Sequence, residues 1–196
     1  MPGRAMTAGE QALATTVYKT EIDFSKVKIF NEKWAFFQPT NRAMAPNGNI
    51  YYPPGNSDYS TDFSAAGVSI HQKATFIHEL AHVWQHQSGV NVIANGIFQR
   101  DYDYLPLTTA TKFSDLGIEE QAQLIRDYYY LLNNYHGKNW PPISVYIQVI
   151  PFLPYKESVD EVIHSYFDCV IDNRLDSLCA DKQRLDRSEA TSVVGH

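Results

Sequence analysis

Cysteine is almost missing from this chain of 196 residues: only Cys169 and Cys179 occur. Two thiols ten residues apart make no disulfide framework, and they read as free cysteines with at least one in a helix core. Long hydrophobic runs are also lacking. The most apolar stretch, Ile143 to Leu153, is far shorter than a bilayer requires and is interrupted by Pro151, so no membrane span is expected. The opening residues Met1 to Met6 lead into the polar run Thr7 to Gln11 rather than a signal-peptide core, and no classical secretory route is expected. An excess of positive charge is missing too. Lys and Arg total 16 against 22 Asp and Glu, a net charge of -6, with no basic cluster. Nucleic acid and anionic membrane surfaces both reward a basic face, and neither is an expected partner.

Aromatic residues are abundant by contrast: thirteen Tyr, ten Phe and three Trp. They supply enough apolar surface for one well-packed core. The expectation is a single domain over residues 1–196, with mobile ends at about 1–6 and 185–196.

The local signals place strands together in the first third of the chain and long helices after them, and the expected class is α+β. Thr7 and Glu10 have capping-box spacing ahead of a short helix over Gln11 to Tyr18. Val27, Ile29, Trp34 and Phe36 alternate with polar neighbours, the period of a half-buried strand. Asn47-Gly48 is a hairpin signal joining Arg42–Ala45 to Asn49–Tyr52, and residues 56–68 read as a loop. From Gln72 to Gln87 the apolar positions Phe76, Ile77, Leu80, Ala81, Val83 and Trp84 cover two adjoining stripes, predicting a largely buried helix stopped by Ser88-Gly89. Ile118, Ala122, Ile125, Tyr129 and Leu132 mark a second long helix ending near Asn133. Trp140-Pro141-Pro142 begins an irregular link, and a third helix is expected over about Lys156 to Asp172.

The chemistry lies in the first long helix, which contains His78-Glu79-Leu80-Ala81-His82. Residues four apart stand one turn apart on one side of a helix, so both imidazoles reach a single ion. Glu79 lies about 100° round from His78, beside the ion rather than on it, where it can take a proton from a metal-activated water. Polar groups in so apolar a helix need a partner to offset their desolvation, and Zn2+ is the expected one. His71 and His86 read as solvent-facing, since a catalytic zinc takes three protein ligands and keeps one position open. The third ligand must come from elsewhere: Glu119 or Glu120 at the start of the second long helix, or His136 or His164.

Several runs carry a resemblance to a known family: Thr7-Ala8-Gly9-Glu10, Ile22-Asp23-Phe24-Ser25, Phe37-Gln38-Pro39, Phe76 to Gln85, and Glu119-x-Gln121-Ala122 with Ile125 and Asp127-Tyr128. Over about residues 4 to 132 the chain resembles the zincin-type metallopeptidase domains associated with VgrG and Rhs proteins of bacterial type VI secretion. The resemblance implies a zincin-like fold, a small twisted sheet with an active-site helix and a second, ligand-bearing helix. Glu119-x-x-Ala122-Gln123 is similar to the Glu-x-x-Ala-Asp run by which gluzincins supply a third ligand, which implies His78, His82 and Glu119 as zinc ligands and Glu79 as the catalytic base. Gln123 departs from that run, and either it or Asp127 is implied to support a ligand histidine. The implied activity is amide hydrolysis of a protein or peptide, with a peptidoglycan stem peptide as the lesser variant. The implied setting is an antibacterial effector carried by a VgrG or Rhs spike into a target-cell periplasm and countered by an immunity protein. For the oxyanion the candidates are His164, Tyr155 and Tyr166, and for the substrate-binding edge Asn49 to Tyr52. The rival expectation is a non-catalytic module of the same fold that docks onto a spike or partner protein.

Overall fold

The computed structural model describes residues 2–96 and 102–153, all within one unit spanning Met1–Leu153. The expected helix over Lys156 to Asp172, both cysteines, and Tyr155, His164 and Tyr166 lie outside the described residues.

A three-stranded sheet of order β1-β2-β3 is formed by β1 (Arg4–Ala5), β2 (Lys28–Phe30) and β3 (Ile50–Tyr51). β1 runs antiparallel to β2 with Arg4 opposite Ile29, and β2 runs parallel to β3 with Ile29 opposite Ile50. Strand side chains alternate between faces, so Ile29 and Ile50 share the inner face and are fully buried, while Phe30 stacks on Tyr51 across the outer face. The architecture is α+β with a small sheet, the class expected from the local signals and the sheet size implied by the resemblance.

The helices follow from their caps. α1 (Ala8–Tyr18) starts in a complete Thr7/Glu10 capping box. α2 (Ile70–Gln87) starts two residues earlier than its apolar period suggests, because Ser69 and Gln72 form a second capping box. At its other end the Gly89 N–H donates to His86 O and the Val90 N–H to Gln85 O, with Gly89 at φ +87°, a Schellman stop. α3 (Val92–Gly96) is a single short turn of helix. α4 (Ile118–Leu132) stops in the same way, with Asn134 rather than glycine at positive φ.

α2 and α4 pack together over their length, from His71 against Tyr130 to Gln85 against Ile118, an antiparallel pair. Phe76, Ile77, Leu80, Ala81 and Val83 of α2 and Ala122, Leu124 and Ile125 of α4 are buried in the core between helices and sheet. Each large side chain there contributes roughly 1.5–3 kcal/mol by leaving water. Phe63 stacks flat on Phe76, and the buried Tyr18 hydroxyl donates to Ile77 O, tying α1 to α2.

Three expectations are corrected. The strand at Val27–Ile29 does not continue to Trp34 and Phe36: Phe36 is 93% exposed. The chain instead wraps the buried Gln38 amide, which accepts from the Trp34 N–H and donates to Arg42 O and Tyr51 O. The Asn47-Gly48 turn forms with Gly48 at φ +80°, but the hairpin it closes is one antiparallel bridge, Met44 to Tyr51, rather than two paired strands. The link after Trp140 contains α5 (Ile143–Val149), whose Tyr146 is fully buried; Pro142 fits as its cap because the missing N–H is not needed there. No helix among the described residues is long and apolar enough to cross a membrane.

One buried ion pair anchors the N-terminal strand. The Glu10 carboxylate accepts from both Arg4 terminal nitrogens at 2.7 and 2.8 Å and from the backbone N–H groups of Thr7 and Phe63, each at 2.9 Å. Replacing the buried member of such a bidentate pair strands the other charge. Glu10→Ala is therefore expected to destabilise the fold by about 3 kcal/mol, read as a lower urea midpoint at unchanged slope. A shift of a few tenths would show that the pair is solvated instead.

Candidate metal centre

The antiparallel packing of α2 on α4 brings three side chains to one point. Glu119 Oε2 lies 3.3 Å from His78 Nε2 and 3.4 Å from His82 Nε2, and one ligand atom from each residue falls within 4.8 Å of the others. The two histidines are buried and their rings stand nearly perpendicular, 83° apart. Donor atoms held at about 2.1 Å from a tetrahedral ion lie roughly 3.4 Å from one another, so these separations suit a zinc-sized cation. Two nitrogens and one carboxylate oxygen are also an ordinary catalytic zinc donor set. The residues present fit the ion.

The electrostatics follow from a carboxylate wedged between imidazoles. Burial opposes the Glu119 charge, but hydrogen bonds to His78 and His82 hold its carboxyl well below the usual range. Burial pulls His82 down as well, yet Glu119 outweighs it and raises His82 to about 9. For His78 burial wins, and its pKa falls to about 4. Glu79, buried behind the pair, is pushed up to about 7 by desolvation. Its Oε2 is a buried oxygen without a hydrogen-bond partner among the described residues, as is His78 Nδ1. A buried orphan acceptor is costly, and one beside a ligand group is a place for a substrate or water proton.

The choice between the two glutamates has a structural cause. Glu120 Oε2 accepts the Gly117 N–H at 2.6 Å, closing its own helix end, so Glu120 is turned away from the histidines. His136 is exposed and outside the group, and His164 lies beyond the described residues. His71 Nδ1 bonds the Tyr130 hydroxyl at 2.8 Å, and His86 is exposed against Gly48. Neither of them joins the group.

The support of the ligand histidine differs from the expectation. Gln123 and Asp127 bond to each other, and Asp127 accepts from the Tyr104 hydroxyl at 2.7 Å; neither reaches a histidine. The residue at His82 is Gln85, fully buried, whose Oε1 stands 2.8 Å from His82 Nδ1. Its amide nitrogen donates to Ile118 O and Gln121 Oε1, and Gln121 in turn donates to Phe113 O and Leu116 O. With its nitrogen committed to carbonyls, Gln85 offers only an acceptor, so His82 carries a proton on Nδ1 and turns Nε2 toward Glu119. The signal was in the sequence: Gln85 is three residues beyond His82, the spacing of neighbours on a helix surface. The expected substrate edge is also curtailed, because the Tyr51 N–H and C=O both pair with Met44.

Fold and site together define an α+β protein whose paired helices present a His–His–Glu donor group. No family model matches the chain. It is 36% identical over 143 residues to the type VI secretion system spike protein VgrG2b of Pseudomonas aeruginosa strain PAO1, an alignment covering 68% of this chain and 13% of that protein. The chain thus spans only about an eighth of the spike protein's length. The solved effector domain of Pseudomonas aeruginosa VgrG2b matches with a TM-score of 0.62 at 36% identity, over 67% of this chain and 76% of that one. The chain belongs to the family of the VgrG2b effector domain.

Two outcomes follow. Glu119→Ala is expected to lose the metal, while Glu120→Ala keeps it and costs about 1 kcal/mol as a lost helix cap; metal content and thermal melts read both, and the reverse pattern would reassign the ligand. Gln85→Leu is expected to weaken metal binding by about 10- to 100-fold in a chelator competition, as loss of a ligand-orienting hydrogen bond does. Unchanged affinity would remove Gln85 from the site.

Proposed function

We propose that the chain is a zinc-dependent peptidase of gluzincin type, acting as an antibacterial type VI effector. The observation that carries this reading is the convergence of His78 Nε2, His82 Nε2 and Glu119 Oε2, with the unpartnered Oε2 of Glu79 on the same helix as the two histidines. His78, His82 and Glu119 would hold the ion. Zinc there supplies a Lewis acid that polarises a carbonyl and acidifies a water near neutral pH.

The protein's own groups do the rest. Gln85 orients His82. Glu79 takes the proton of the attacking water on its free oxygen and passes it to the leaving amine, and a pKa of about 7 matches both halves of that transfer. The buried position of Glu79 keeps bulk water from competing for the proton. The substrate is a protein or peptide, with a peptidoglycan stem peptide as the less favoured variant. The relative's description as a type VI secretion spike protein supports association with a VgrG or Rhs spike; action in the target-cell periplasm and a cognate immunity protein are further parts of the proposal.

Glu79→Ala separates this reading from a non-catalytic docking module of the same fold. The variant is expected to bind zinc in the wild-type ratio while cleavage falls by about a thousandfold or more. Proteomic comparison of new protein termini and growth of cells carrying each form in the periplasm provide the measurements. Equal toxicity and equal cleavage from both forms would defeat the peptidase reading in favour of the module.

A further inference from the structure

Two guanidinium groups stand near the donor group, although the chain as a whole is acidic, and Tyr102 connects one of them to the cavity it lines with Asp103 and Asp127. Tyr102 stands with its ring 6.1 Å from the His78 ring, centroid to centroid, and Arg42 lies over that same Tyr102 ring at 5.5 Å. One aromatic ring therefore separates the Arg42 guanidinium from a ligand histidine. Arg42 is exposed, and among the described residues no carboxylate pairs with it. Its backbone is fixed from behind, because the buried Gln38 amide donates to Arg42 O. A second guanidinium comes from α4: Arg126, seven residues and two turns beyond Glu119, stands over Tyr130 at 5.8 Å and makes a long 3.4 Å contact with Asp127. The field of Arg42 reaches Glu79 and that of Arg126 reaches His78.

An unpaired arginine laid on an aromatic ring is pre-oriented: the ring restricts the guanidinium plane and leaves its N–H fork free. That fork matches a carboxylate in a bidentate pair. Among the described residues no carboxylate forms an ion pair with Arg42, Asp58 included, although the field of Asp58 also reaches Glu79. Asp127 is already bonded by Tyr104, Gln123 and Arg126, and the Asp103 carboxylate accepts the Leu105 N–H.

We propose that the cleft selects substrates bearing a carboxylate close to the bond that is cleaved, received by Arg42 on Tyr102 with Arg126 adding charge from α4. This inference rests on the peptidase reading for the position of the scissile bond. At about 3.3 Å per extended residue, the arginine lies within roughly three residues of that bond. Two sources supply such a carboxylate, an internal Asp or Glu side chain and a free peptide C-terminus.

The test uses the full chain, zinc-loaded, with Glu79→Gln to prevent turnover, exposed to an equimolar mixture of random hexapeptides. One mixture has free C-termini and one has amidated C-termini, and the bound peptides are counted by mass spectrometry. Enrichment of Asp and Glu by about tenfold is expected from one charge-assisted pair. If the C-terminus is the carboxylate read, binding is confined to the free mixture. Arg42→Lys is expected to retain part of the enrichment, Arg42→Ala to lose it and Arg42→Glu to replace it with enrichment in Lys and Arg, all at unchanged zinc content and unchanged circular dichroism. Absence of acidic or C-terminal preference, or a preference that survives Arg42→Glu, overturns the inference. Acidic peptides that bind but are never cut by the wild type would instead overturn the peptidase reading and leave the carboxylate site standing. Cleavage without charge preference would do the opposite.

Discussion

A partly buried negative charge organises this structure: the Glu119 carboxylate, delivered by α4 into the space between two imidazoles of α2. An ion in that position is tolerated only with partners at hydrogen-bond range, and the partners sit on a different helix. The packing of α2 against α4 is therefore a requirement of the site. Metal donor sets tolerate displacements of about 0.2 Å, so neither helix can slide or rotate much without losing the group. The fold meets that demand with core contacts along both helices and with stops at both C-termini, one using Gly89 and the other Asn134 at positive φ.

The two histidines, though chemically alike, are not equivalent. His82 has an acceptor at Nδ1 from Gln85 and the Glu119 carboxylate at Nε2, a pair of contacts that stabilise the imidazolium. His78 has the same carboxylate but no partner at Nδ1, so burial dominates and it stays neutral. Glu119 therefore finds one positive and one neutral neighbour. A dication entering between the three would take over the counter-charge role that the His82 proton serves, and the site would release that proton on binding.

Much of this was legible in the sequence because it is written in local periods. Thr7-x-x-Glu10 specified a cap that forms with both hydrogen bonds, and the His78–His82 spacing fixed two donors on one helix face. The α+β class followed from the order of such signals, and the small sheet from the resemblance. What failed depended on contacts between distant segments. Alternation ran through Trp34 and Phe36, yet the buried Gln38 amide recruits that stretch into a loop, and no local count reveals where an amide will be buried. The same holds for Gln85. Its distance from His82 was readable, but its acceptor-only role depends on Ile118 O and Gln121, which only the packing of α4 supplies. Glu119 and Glu120 are adjacent on the helix border, and the difference between them is the N–H of Gly117, claimed by one and not the other. α5 was obscured by two prolines, whose effect at a helix start is opposite to their effect inside one.

The acidic net charge and the two arginines near the donor group act over different distances. A net -6 spread over the surface is screened beyond about 8 Å at physiological ionic strength, so it acts mainly on partners that span many such lengths, as nucleic acids do. A peptide side chain meeting Arg42 responds to the nearest few groups. There the relevant charges are one guanidinium without a carboxylate partner among the described residues, a second held loosely by Asp127, Asp127 itself bonded on several sides, and Asp58, whose field also reaches Glu79. Composition thus argues against an extended polyanion while the local field favours a single carboxylate. The two conclusions describe one molecule at two ranges.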